Sequence, residues 1–190
     1  RRAPRGVAPA APLPGRGRIA SARAAVACRM RHPSRRARED GCVATDLRFR
    51  STWRIHAEPE VVRAALADVA GYPAWWSSIV EAERDGASRA ETGRIAVRGP
   101  LPATLRVRLT AMPSAPDVLA ARVGGDLLGW CSWHVAPDAD GGTCVVFQQH
   151  VMVRRRSLQA LARIAPGRLR ANHAAVMRAG QAGLAAHLGR

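Results

Sequence analysis

From residue 46 onward, hydrophobic and polar positions follow regular periods. LRFRSTWRIHA alternates, with Leu47, Phe49, Trp53 and Ile55 on one side and Arg48, Arg50, Thr52, Arg54 and His56 on the other. A period of two predicts a half-buried strand. AEPEVVRAALADV then changes period, placing Val61, Val62, Ala65, Leu66 and Val69 at helical spacing behind a Glu58-Pro59-Glu60 first turn. Gly71 and Pro73 are expected to stop that helix, and a second short helix is expected over residues 74–78. Strand patterns follow at 78–84, 92–98, 104–112, 118–123, 126–135 and 143–153. The clearest sets Leu105, Val107 and Leu109 against Arg106, Arg108 and Thr110. Turn-rich breaks such as DGAS, RGPLP, PSAP and PDADGG separate them.

The C-terminal stretch returns to helical spacing. Pro166-Gly167 divides it into a short helix and a longer one, on which Leu169, His173, Val176, Met177, Gly180, Leu184 and Leu188 share a face. Strand, helices, a run of strands and a helical end describe an α+β chain with a meander sheet. The apolar helix face has only the sheet to pack on. A long helix against a strongly curved antiparallel sheet leaves a cavity, because the two surfaces differ in curvature.

Residues 1–45 break the pattern: they are rich in Arg, Ala and Pro and poor in large apolar residues. Such a segment buries too little to offset its ordering entropy. It is expected to be a disordered leader, from an over-extended start, or else a basic tail or a targeting segment; residues 46–190 form the ligand-binding domain. IASARAAVAC, interrupted by Arg23, does not make a secretory signal, and no apolar run approaches the roughly 20 residues of a membrane-spanning helix. These points, with thiols in a reducing compartment, place the protein in the cytoplasm.

Charge modifies this picture only slightly. The formal net charge is +16. Eleven arginines against two acids leave +9 in residues 1–45, and nineteen against twelve leave +7 in the remainder. All 30 basic residues are Arg, the signature of a GC-rich genome. Part of the basicity is therefore compositional, and the aromatic and Arg positions of the first strand fall on opposite sides, so no strand face combines them to read nucleic acid. Cys28, Cys42, Cys131 and Cys144 form no CxxC pair and are read as free, partly buried thiols.

Three segments carry a family resemblance: TWRIHAEPEVVRAALADVAGYPAWWSSIVEAE, GDLLGWCSWHVAPDADGGTCVVF and NHAAVMRAGQAGL. They resemble the START and Bet v 1-like (SRPBCC) superfamily, in its polyketide cyclase/dehydrase and lipid-transport-like branch. Trp76, Trp133, Asn172-His173, Met177 and Gly180 stand where that branch shows these residue types. The resemblance covers roughly residues 47–188 and implies a helix-grip fold: a curved antiparallel sheet of six to seven strands around a long C-terminal helix, with two short helices after the first strand. The superfamily hosts transporters, cyclases, hydrolases and sensors, so it does not by itself fix the chemistry.

The expected ligand-binding set is Trp53, Trp76, Leu105, Val107, Leu109, Trp133, Phe147, Gln149, His173, Val176 and Met177. Trp75 and Trp76, two of the five tryptophans, are adjacent at what reads as a helix end. Neighbouring helical residues point about 100° apart. One Trp is then core and the other a partly exposed lid, or Trp76 borders the cavity mouth while Trp75 points elsewhere. Gln149 follows Phe147 on the same face and needs a partner, either a side chain or a ligand. His173 is a satisfied core histidine or the one candidate acid–base group; Asn172 beside it orients local backbone. His56, His134 and His150 are expected on the outer face. Arg154–Arg156 reads as a solvated strand end or a contact for an anionic group. No nucleophile motif and no metal-ligand spacing occurs, so no metal and no cofactor is expected.

The function this favours is binding of a polyketide, fatty acid or isoprenoid-like molecule by a monomer or weak dimer. The alternatives are a polyketide cyclase/dehydratase working in the same cavity, and a basic RNA- or ribosome-associated protein. No specific nucleic acid partner and no transmembrane segment is expected.

Overall fold

The computed structural model describes residues 46–85 and 92–189. The leader, Cys28 and Cys42 lie outside the described residues. The strands are β1 (Asp46–Ile55), β2 (Ile79–Asp85), β3 (Thr92–Arg98), β4 (Thr104–Met112), β5 (Val118–Gly125), β6 (Leu127–Pro137) and β7 (Thr143–Val153). Helices α1 (Pro59–Ala67) and a 3-10 helix (Val69–Ala74) connect β1 to β2, and α2 (Arg156–Ile164) and α3 (Pro166–Leu188) follow β7. The strands form one seven-stranded antiparallel sheet in the order β1-β7-β6-β5-β4-β3-β2. The meander β2–β7 folds back so that β7 takes the first strand as its outer neighbour.

The bounds of β3, β4 and β7 coincide with the alternating segments. β7 shows why: Thr143, Val145, Phe147, Val151 and Val153 face the core, and Cys144, Val146 and Gln148 are less buried. The β6–β7 connection turns at Gly141 and Gly142, whose φ values of 88° and 80° suit glycine. Asp138 N–H donates to the Gly142 carbonyl at 3.0 Å to close this turn.

α1 starts with Pro59 and Glu60 in its first turn and buries Val62 and Leu66. Val61 is 49% exposed and does not join that face. The second short helix differs from expectation. It is a 3-10 helix over Val69–Ala74 and contains both Gly71 and Pro73. Bonds from i to i+3, such as Gly71 N–H to the Asp68 carbonyl at 3.1 Å, need only a few residues. A turn this short accommodates a proline that would break a long helix. Residues 75–78 leave this helix and turn into β2.

α3 packs on the sheet through Val176, Met177, Gly180 and Leu184, all buried. The α2–α3 break falls at Ala165, whose φ of −140° and ψ of 61° end one helix before Pro166 opens the next. α2 buries Leu158 and Ala162. Among the described residues, no helix is long and apolar enough to cross a membrane.

Candidate functional site

The site begins where the 3-10 helix ends. Trp75 caps it with φ −131°, so Trp75 and Trp76 do not sit on a helix, and the 100° separation does not apply. Their rings stack at 5.4 Å with planes 21° apart, and both are buried, Trp75 at 8% exposure and Trp76 at 5%. Trp75 is therefore no partly exposed lid: it packs edge-on against Tyr72 at 5.2 Å.

α3 is shaped to receive this pair. Trp76 Nε1 donates to the Val176 carbonyl at 2.8 Å, reaching a residue one hundred positions away. A carbonyl has two lone pairs, so Val176 accepts this bond without giving up its helical one. Gly180 lies one turn on and Gly183 two. A Cβ at Gly180 would come within 2.5 Å of Trp76 Cε2, and one at Gly183 would collide with the Trp75 carbonyl oxygen.

The sheet supplies the opposite wall in cross-strand rows. One row runs Phe49–Gln149–Cys131, the next Ser51–Phe147–Trp133 and the next Trp53–Val145–Val135. His173 comes down from α3 onto the first two rows, stacked on Phe49 at 3.9 Å with planes 10° apart and over Phe147 at 5.9 Å. Between sheet and helix lies a cavity of about 160 Å³. Ten of the eleven residues expected at the site line it: Trp76, Leu105, Val107, Leu109, Trp133, Phe147, Gln149, His173, Val176 and Met177.

Trp53 does not line it. Its indole is 2% exposed and stands behind Trp76 (5.6 Å, edge-on) and Trp133 (4.9 Å), which separate it from the open space. Sequence reasoning missed Phe49, Tyr72, Cys131, Leu158, Leu169 and Asn172, which do line the cavity. Alternation gave a usable signal for Phe49 and Cys131, which share faces with Leu47 and Trp133. Leu158 carried none, because the position of α2 over the cavity depends on the turn at Ala165.

Polar groups in this wall are few. Asn172 Oδ1 accepts from Leu101 N–H at 3.0 Å, which ties the β3–β4 connection to α3. Burial lowers His173 to a pKa of about 4, so its imidazole is neutral near pH 7. Burial pushes the Cys131 thiol up to about 12, which keeps it protonated and unreactive. Tyr72 is likewise held protonated by burial and donates to the Leu66 carbonyl at 2.6 Å. The arrangement can enclose an apolar body and offer it two neutral polar groups, the Gln149 amide and the His173 imidazole.

On the outer face His56 is exposed, while His134 and His150 are half-buried. His134 Nε2 lies 3.3 Å from Ser132 Oγ, and His150 pairs with Asp46. Among the described residues no group of three His, Cys, Asp or Glu side chains has metal-binding geometry. Arg155 of the Arg154–Arg156 run donates to the Thr104 carbonyl at 2.9 Å.

The family described as polyketide cyclase / dehydrase and lipid transport matches residues 46–189. No curated protein matches the chain. The Zhui aromatase/cyclase of Streptomyces sp. R1128 superposes with a TM-score of 0.55 at 20% identity, over 76% of this chain and 92% of that one. A START superfamily protein of Mycobacterium smegmatis gives 0.59 at 14% identity, over 75% and 97%. The di-domain ARO/CYC BexL of the BE-7585A biosynthetic pathway gives 0.60 at 15%, over 77% of this chain and 51% of its own length. Identities this low establish a shared fold.

Proposed function

Since the chain belongs to the polyketide cyclase/dehydrase and lipid-transport family, of the START-like (SRPBCC) superfamily, we propose that it binds a flat or chain-like apolar small molecule between its sheet and α3. The observation that carries this reading is the cavity wall: aromatic and aliphatic side chains throughout, with Gln149 and His173 as convergent polar groups. Trp76 provides a face for stacking, held by its bond to Val176. Gln149 and His173 then orient a carbonyl or hydroxyl of the ligand.

A second reading, a cyclase/dehydratase, is favoured by one feature. His173 faces the cavity where it would take a proton from a carbon next to a carbonyl, the start of an aldol closure, and return it to the new alkoxide, but the burial that keeps it neutral also makes it a weak base. Size weighs against this reading. An apolar cavity near 150 Å³ lodges a benzene-sized body, so the 160 Å³ here is small for a folded polyketide. Binding is therefore the primary reading.

Titration of the protein with 2-naphthol, followed by tryptophan quenching, tests it. Saturable binding is expected, with Trp76→Ala weakening it by about 1–3 kcal/mol. Absence of saturable binding to the wild-type chain overturns the reading. His173→Gln, assayed by mass spectrometry on candidate polyketides, separates the two functions: a fall in turnover of about 100-fold or more identifies an enzyme.

A further inference from the structure

A second hollow, of about 330 Å³, lies beneath α1 and the 3-10 helix and against the β4–β5 hairpin. Its wall includes Arg63, Val69, Ala111, Leu119 and Ala121, none of which lines the cavity on α3. Tyr72, Leu109, Cys131 and Trp133 line both hollows. One layer of side chains therefore separates them.

That layer has a firm part and a yielding part. Tyr72 is bonded to the Leu66 carbonyl, and Trp133 is packed between Trp53 and Phe147. Leu109 and Cys131 have no such tether. Leu109 is only half-buried, so its rotamer can change without breaking a hydrogen bond. The cavity on α3 alone is smaller than ordinary ligand pockets, which run from roughly 300 to 1,000 Å³; joined to the second hollow it falls within that range.

The second hollow also has a cation at its edge. Arg63 Nε donates to the Pro116 carbonyl at 2.8 Å, which fixes the guanidinium there and leaves its Nη groups for another acceptor. Among the described residues Arg63 makes no ion pair. A guanidinium so placed matches a carboxylate.

We propose that the hollow beneath α1 is the far chamber of the ligand site, and that the ligand is a long-chain carboxylic acid. Its chain crosses the Leu109–Cys131 wall from the cavity on α3, and its carboxylate ends beside Arg63. The proposal rests on the reading that the cavity on α3 binds apolar molecules.

Calorimetric titration of the full chain with 2-naphthol, palmitic acid and hexadecanol tests both together. 2-Naphthol reports the cavity on α3 alone. Ala111→Trp fills the second hollow from an exposed position, and Ala121→Leu fills it from β5. Each is expected to weaken palmitate by about tenfold or more while 2-naphthol stays within about twofold. Arg63→Gln is expected to weaken palmitate by about fivefold and leave hexadecanol unchanged. If palmitate binds both chamber variants as well as wild type, the far chamber is not used and the proposal falls, while 2-naphthol binding still upholds the function. If Arg63→Gln affects acid and alcohol equally, the carboxylate placement is overturned. If neither 2-naphthol nor palmitate binds wild type, both readings fail.

Discussion

Gly180 presents its missing side chain to the indole of Trp76: a Cβ there would stand 2.5 Å from Cε2 and 2.8 Å from Nε1. Gly→Ala within a helix ordinarily stabilises by roughly 0.5–1 kcal/mol. Here overpacking opposes it, and Gly180→Ala is expected to destabilise by about 1–3 kcal/mol in urea denaturation. Adding Trp76→Leu should recover much of that loss, because the smaller side chain vacates the space. A stabilised single variant would show that Trp76 does not rest on α3.

Trp75 and Trp76 should separate by assay. Trp75→Ala removes a buried ring that does not itself line the cavity on α3 but backs Trp76, and is expected to cost about 3–5 kcal/mol of stability. Its 2-naphthol affinity should be unchanged at a temperature where it remains folded. Trp76→Phe keeps an aromatic ring but loses the donor to Val176, which costs roughly 0.5–1.5 kcal/mol. Equal effects of the two on binding would contradict the placement of the cavity.

The half-buried imidazole of His173 makes stability depend on pH. Its pKa is about 4 in the fold and near 6.5 in the unfolded chain. Between those values the unfolded chain binds the extra proton, so stability falls as pH drops from about 6.5 toward 4, by up to about 3 kcal/mol. His173→Phe should flatten that limb of a denaturation-midpoint profile against pH. An unchanged slope would place the titration elsewhere.

Asn172 clamps the β3–β4 connection to α3, and Gly99 leaves room for it: a Cβ at Gly99 would lie 2.8 Å from Asn172 Cγ. Asn172→Leu removes the acceptor for Leu101 N–H and should cost about 1–3 kcal/mol. Asn172→Asp, which keeps an oxygen in place, should cost less. Hydrogen exchange at Leu101 reads the effect directly, and unaltered exchange in Asn172→Leu would dismiss the clamp.

What could be read in advance follows from how local each signal is. β4 and β7 were legible to the residue, because a strand with one buried face writes its period into the sequence. The same alternation brought Trp133, Phe147 and Gln149 to one wall. Trp53 shared that face and was nonetheless displaced from the cavity, since the side chains standing before it, Trp76 and Trp133, come from other elements. The Trp75–Trp76 geometry was misread because a helix was assumed at a position where the chain leaves one. Gly183 carried no signal: only the backbone of Trp75, brought beside it by the fold, explains a glycine there.

The strand order has a consequence for synthesis. β1 ends at Ile55, and its partner β7 begins only at Thr143. Chains are made at about 5–20 residues per second, so the opening strand waits several seconds for its neighbour. The face that closes on α3 waits until translation has passed Leu188. During that interval the emerging polypeptide shows the ribosome-bound chaperones an unpaired strand and an uncovered apolar surface, and early strand pairing gains little until the last helix arrives to cover it.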